Sequence, residues 1–238
     1  MHNLIKKLLI SITIAVLGSG TGMADEPARL LNDLDNPIRI YAIFHDDIPE
    51  SKRKSIYGTF ILPFTEEFER ITGRKVNIIF DENKPPYSNF DYKSDDQNEV
   101  IYQWEKLAIE YRLKRETDKE FKRSRHDRVL LITNDGINQR VGGVIVSQPG
   151  HSIIASIRSR QAIGHELGHS FDAGHSDGAV NYNGWWCETF MYPTLSLRYS
   201  CLVFSERNRE RIKAYVDGLY DGRPFVHEFP KYPAIILD

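Results

Sequence analysis

The sequence predicts an α/β (or α+β) domain in which helices cover a twisted mixed sheet. Two observations carry that prediction. Short β-type runs alternate with longer helix-type runs along the chain, and 41% of the 238 residues are hydrophobic, enough for one substantial core. A third observation narrows the function classes. With 31 Lys and Arg against 33 Asp and Glu, the chain lacks the basic excess that a nucleic-acid binder usually shows.

The elements follow in order. IRIYAIF, 38–44, alternates apolar and polar positions and is rich in β-branched and aromatic types, which predicts a strand. From Phe60 to Gly73 the apolar positions 60, 61, 64, 68 and 71 have helical spacing; Gly73 is a natural stop, and Pro63 leaves the start open. KVNIIFDE, 75–82, is a second strand. The clearest helix is 97–122, where Val100, Ile101, Trp104, Leu107, Ala108 and Tyr111 form one apolar stripe. The charge run RLKRETDKEFKRSRHDR at its end mixes acids with bases and reads as a solvated face. RVLLITND, 128–135, and VGGVIVSQ, 141–148, are strands separated by Asp135-Gly136, which predicts a hairpin with a longer turn. A helix over 160–172, a long irregular loop and a last helix complete the order. That last helix opens after Ser205, a good N-cap, and carries Ile212, Tyr215, Val216, Leu219 and Tyr220 on one face, with Gly222 beyond its end. No repeat or linker divides 37–238, so one domain is expected.

The first 24 residues read differently. MHNLIKK is basic, LLISITIAVLG is an apolar run too short for a comfortable membrane span, and SGTGMA ends in small residues. This is the pattern of a signal peptide cleaved after Ala24, with 25–36 as a short polar lead-in. Export to the periplasm or the extracellular space is expected, without stable membrane insertion. Cleavage would leave 29 basic against 33 acidic residues, a charge of −4, with Met191 as the one remaining methionine. Cys187 and Cys201 would both remain, and an exported chain with two cysteines most simply joins them in a disulfide.

The stretch GHELGHSFDAGHSDG, 164–178, holds three of the eight histidines. Residues four apart on a helix lie nearly above one another, so His165 and His169 point to the same side and can share one ion. Glu166 projects from the adjoining face, close enough to reach a water on that ion. The arrangement suits zinc held by neutral imidazoles, with a carboxylate as general base. Catalytic zinc wants three protein ligands and an open fourth position. His175 can be the third only if the helix stops and the chain turns back, and Asp172 and Gly174 stand where that turn would occur.

These residues resemble the signature of the metzincin zinc endopeptidases, a histidine-glutamate helix followed by a third histidine and a methionine-containing turn. His165, Glu166, His169 and His175 occupy the ligand and base positions, although Asp172 stands where the family has glycine. CETFMYP places Met191 and Pro193 where the family's Met-turn falls, beneath the metal and donating no ligand. The resemblance spans about 38–220 and shares features with both matrixins and reprolysins. It implies a metzincin-like catalytic domain: a mixed sheet with an antiparallel edge strand, an active-site helix and a C-terminal helix. It further implies that an extended substrate pairs with the strand just before the active-site helix, here within 142–148, through Gly143, Val144 and Ile145. The segment 192–200 would wall the pocket after the scissile bond, with Leu195 and Tyr199 as candidate lining residues. Trp185 and Trp186 could meet a substrate or cover the core, and cover is the favoured reading.

The function expected is therefore a secreted zinc-dependent endopeptidase, a monomer acting on proteins or peptides, with one catalytic Zn2+ and Glu166 as base. Two other readings fit the same residues. One is a catalytically silent binding module stabilised by zinc; the other is a zinc hydrolase with a non-peptide substrate. A structural zinc site has no need for the acid at 166 and would fill the fourth position with a protein ligand.

Overall fold

The computed structural model describes residues 37–117, 124–193 and 198–218. The expected signal segment, the lead-in 25–36, Leu195, and the continuation of the last helix through Leu219 and Tyr220 to Gly222 lie outside the described residues. What is described is a mixed α/β fold: a five-stranded mixed sheet with four helices against it.

β1 (Ile38–Phe44) sits inside the sheet, paired in parallel with β2 (Val76–Asp81) on one side and β3 (Arg128–Thr133) on the other. β5 (Ser152–Ser156) pairs in parallel with β3, and β4 (Gly143–Ile145) closes the row antiparallel to β5, giving the order β2-β1-β3-β5-β4. The expected hairpin between 128–135 and 141–148 is not formed. β5 lies between those two strands and pairs with both. The run Ile153-Ile154-Ala155 is short and apolar without alternation, the pattern of a strand buried on both faces.

The expected strand 38–44 is formed, and all seven residues of β1 are buried, because helices cover both faces of the sheet. One face receives Ile38, Ile40, Ala42 and Phe44, together with Leu130, Ile132, Ile153 and Ala155 from the neighbouring strands. The other receives Tyr41 and Ile43 with Val129, Leu131 and Ile154. The one charge on β1 is tolerated because Arg39 lies in a two-point ion pair with Asp127, Nε to Oδ1 at 2.9 Å and Nη2 to Oδ2 at 3.0 Å.

α1 runs over 50–72, as Glu50–Ile56, a π-helical stretch Tyr57–Ile61 and Leu62–Thr72. It begins ten residues before the expected Phe60. Pro63 sits at the start of its last α-helical portion, where the missing N–H is absorbed by the π stretch before it. Gly73 ends the helix in the left-handed conformation, φ 69°, as its position predicts. α2 (Gln97–Thr117) buries Val100, Ile101, Trp104, Ala108 and Tyr111, five of the six predicted stripe residues, on the second face. α3 (Ala162–Ser170) and α4 (Glu206–Val216) join α1 on the first face, around Phe64, Phe68, Leu167, Phe171, Phe190, Phe204 and Ile212. Ser205 caps α4 as expected, its hydroxyl accepting from the N–H of Asn208. The loop predicted as irregular contains a small second sheet, β6 (Val180–Tyr182), β7 (Trp186–Glu188) and β8 (Tyr199–Ser200), in that order. The Cys187–Cys201 disulfide is formed and ties β7 to the residue that follows β8.

Candidate metal centre

All nine residues of α3 are buried, including both histidines and the glutamate. Two glycines let this helix sit deep. A Cβ on Gly164 would lie 2.4 Å from the ring of Phe190, and one on Gly168 would lie 2.6 Å from Phe204 and 2.7 Å from the sulfur of Met191. Met191 is thus directly against the helix between the two histidines, in a turn closed by the bond from Tyr192 N to Thr189 O. Pro193 follows, half-buried.

The helix ends where the third histidine requires it to. Phe171 and Ala173 N–H groups both turn back to Gly168 O, and Asp172 takes up φ 74°, the left-handed conformation that reverses the chain. Asp172 does this alone. Gly174, expected to share the bend, is extended, with φ −125° and ψ 152°. His175 then opens a short 3-10 turn, His175–Asp177.

The result is a cluster of three imidazoles. The Nε2 atoms of His165 and His169 are 3.1 Å apart, those of His169 and His175 3.0 Å, and those of His175 and His165 2.8 Å. The Nδ1 of His165 faces Phe190 O at 2.6 Å and that of His169 faces Ala173 O at 2.9 Å. A carbonyl oxygen only accepts, so both Nδ1 atoms carry the proton and both Nε2 atoms present bare lone pairs to the centre. Burial holds His165 down at about 3 and His169 well below the ordinary histidine range, and it lowers His175 too, so all three rings are neutral at physiological pH.

Lone pairs crowded in this way repel unless a cation sits among them. A tetrahedral ion bound at about 2.0–2.1 Å holds its ligand nitrogens about 3.3 Å apart, close to the spacing found. The donor set fits a divalent ion that accepts imidazole, and these three are the group of His, Cys, Asp and Glu among the described residues able to hold one.

Glu166 is 3% exposed, and among the described residues no group pairs with its carboxylate. Burial pushes the carboxyl up to about 8. A cation at the histidines would draw it back towards the ionised form. β4 passes beside it: a Cβ on Gly143 would fall 2.6 Å from Glu166 Cγ and 2.9 Å from Oε1. β4 is the antiparallel edge of the sheet, but it is not the strand just before α3; β5 holds that place. Val144 is half-buried and Ile145 buried.

The remaining expected residues divide. Tyr199 is on β8 in the small sheet, 64% exposed. Trp185 and Trp186 do not cover the core; they are 81% and 61% exposed. They lie at the β6–β7 turn of the small three-stranded sheet, where their rings meet solvent. His45 bonds to Phe90 O, His126 to Arg74 and His151 to Asp127 O, away from the cluster.

Sequence reasoning missed several residues that shape the centre. Arg128, fully buried at the start of β3, donates to Ser170 O at 2.7 Å and lies over the ring of Phe171 at 4.0 Å, placing a positive charge at the C-terminal end of α3. Gln148 donates to Asp172 O at 3.1 Å and to Ala173 O at 2.6 Å, and Asn208 and Arg211 reach the same loop from α4. Their one sequence signal is a polar side chain on the buried face of a helix, as at Asn208. No protein family matches the chain, and no curated protein matches it either.

Proposed function

We propose that the protein is a zinc-dependent endopeptidase of the metzincin type. The observation that carries this reading is the neighbourhood of Glu166. A buried carboxylate with no partner among the described residues stands beside three converging imidazoles on one side and the antiparallel edge strand on the other. A site that held a metal only for stability would have no use for an acid so placed. Resemblance supports the family: the spacing of His165, Glu166, His169 and His175, the reversal between the second and third histidines, and Met191 packed under the ligand helix.

A zinc ion, when bound, supplies the positive charge that acidifies a water and polarises a carbonyl. The chain's own groups do the rest. Backbone groups of Gly143–Ile145 offer an edge, unpaired among the described residues, on which an extended peptide can lie with its scissile bond beside Glu166. One carboxylate oxygen of Glu166 takes the proton of the attacking water, and the acid so formed returns it to the leaving amine. Phe190 O and Ala173 O fix the ring tautomers of His165 and His169 throughout.

Export belongs to the same reading. Among the described residues no helix is long and apolar enough to cross a membrane, and the disulfide is consistent with a compartment outside the cytosol. The expected form is a monomer acting on proteins or peptides. Digestion of a denatured protein tests the reading. Wild type cleaves it, a chelator stops cleavage, and Glu166→Gln binds one zinc ion while losing nearly all activity. An active Glu166→Gln variant would refute the base assignment; zinc-loaded wild type that cleaves only non-peptide bonds would refute the peptidase reading.

A further inference from the structure

His165 and His169 are placed by their own helix, but His175 comes from a loop, and the course of that loop is fixed from outside. Asn208, in the first turn of α4, is fully buried. Its carboxamide addresses a single residue: Oδ1 accepts from Gly174 N at 2.7 Å and Nδ2 donates to Gly174 O at 3.1 Å. Pairing with both backbone groups fixes the peptide planes on either side of Gly174, and the second of those planes leads into His175.

Two further residues of the same helix act on the same loop. Arg211 donates from Nε to Asp172 O at 2.7 Å and from Nη2 to Asp172 Oδ1 at 3.0 Å, and its Nη1 lies 3.5 Å from Asp177 Oδ2. Ser205 donates its hydroxyl to Asp177 O while capping α4. Positions 205, 208 and 211 recur every three residues and so share one face of the helix. Together they hold 172, 174 and 177, which bracket His175 on both sides. The contact with Asp172 also gives a reason for aspartate at a left-handed position that glycine would adopt more easily: its carboxylate is a partner for Arg211.

Packing alone does not call for this polar face. Ile212 and Val216 already bury α4 against the core, and an asparagine taken out of water is costly unless every polar atom finds a partner. We propose that Asn208, supported by Arg211, is the positioning residue for the third metal ligand. The C-terminal helix holds the loop so that the Nε2 of His175 stays with those of the two helical histidines. This rests on the metal reading of the cluster and is independent of whether the protein cleaves peptides.

The test is Co2+ and Zn2+ binding to the full chain and to Asn208→Ala, Arg211→Met, His175→Ala and Ile212→Ala. Affinity is read by chelator competition, the ligand field by the visible spectrum of Co2+, and stability by thermal unfolding. Loss of an outer-shell partner typically weakens metal binding by about 10–100-fold, and that loss is expected for Asn208→Ala, with its Co2+ spectrum moving towards that of His175→Ala. Ile212→Ala removes core packing and none of the hydrogen bonds that hold the loop. It should unfold at a lower temperature than wild type yet keep wild-type affinity and spectrum. Arg211 is partly exposed, so Arg211→Met should fold and shift both metal readouts in the same direction as Asn208→Ala. The proposal is overturned if Asn208→Ala keeps wild-type affinity and spectrum, or if Ile212→Ala loses as much affinity. Should Asn208→Ala not fold, Arg211→Met decides, and wild-type behaviour there overturns it. A wild-type protein that binds neither ion would instead remove the metal reading on which the proposal stands.

Discussion

Replacing Gly164 by alanine puts the packing under the histidine-bearing helix α3 to a direct test. The added methyl would lie 2.4, 2.7 and 2.8 Å from three atoms of the Phe190 ring, and that ring is 1% exposed, with little room to withdraw. Overfilling a close-packed core costs about 1–3 kcal/mol, and three contacts this short belong at the upper end. Alanine returns about 1 kcal/mol through its better helix propensity. The net expectation is a loss of about 2 kcal/mol, or a fall in Tm of roughly 4–8 °C for a domain of this size. Gly58 gives the internal control. It is helical and exposed with nothing within 4 Å of a built Cβ, so Gly58→Ala should stabilise by up to about 1 kcal/mol. Thermal and urea unfolding of the three proteins, each freed of metal, measure both. If Gly164→Ala matched or exceeded wild type, Phe190 could not be lying against the helix as described. The carbonyl that orients His165 would then lose its anchor.

Other outcomes follow from the same geometry. On the proposed function, Gly143→Ala, which pushes the Glu166 side chain aside, should lower peptide cleavage by about a hundredfold at unchanged zinc stoichiometry, with a fall in Tm like that of Gly164→Ala; unchanged cleavage would separate β4 from Glu166. His126 is held down to about 2, first by burial and then by Arg125, Arg74, Arg128 and His151, so between that pH and about 6.5 the unfolded chain carries the extra proton. Stability from this residue is complete above about 6.5 and falls as the pH drops, by about 2 kcal/mol from pH 8 to pH 5. Urea midpoints should therefore show a flatter acid slope for His126→Gln than for wild type, and parallel slopes would contradict the assignment. Breaking the disulfide with Cys187→Ser and Cys201→Ser opens a loop of separation 14 and should cost about 3 kcal/mol by loop-closure entropy, read as a lower urea midpoint.

Much of this was legible in the sequence where the local pattern alone decides the structure. The Ile and aromatic alternation of 38–44, the stripe of 97–122, Gly73 as a helix stop and Ser205 as a cap all state their roles within a few residues. The three histidines were legible for the same reason, since a four-residue spacing on a helix and a reversal at Asp172 are local events. Pairing partners were not. Nothing in 128–135 or 141–148 reveals that 152–156 will come between them, because a short buried strand has no alternation and the pairing is settled by the crossover. The exposure of Trp185 and Trp186 was misread because large aromatics are usually core, and only their place at the turn of the small sheet shows otherwise. The roles of Arg128, Gln148, Asn208 and Arg211 depend on contacts across 24 to 42 positions of sequence, where spacing carries no signal.

X-ray absorption at the zinc edge of the loaded, full-length protein bears most directly on the central claim, that one ion is held by these three rings. The account predicts one zinc per chain with three imidazole nitrogens at about 2.0–2.1 Å, falling to two in His175→Ala. Wild-type protein with two or fewer imidazoles in its first shell, or one that does not hold zinc stoichiometrically, would contradict it.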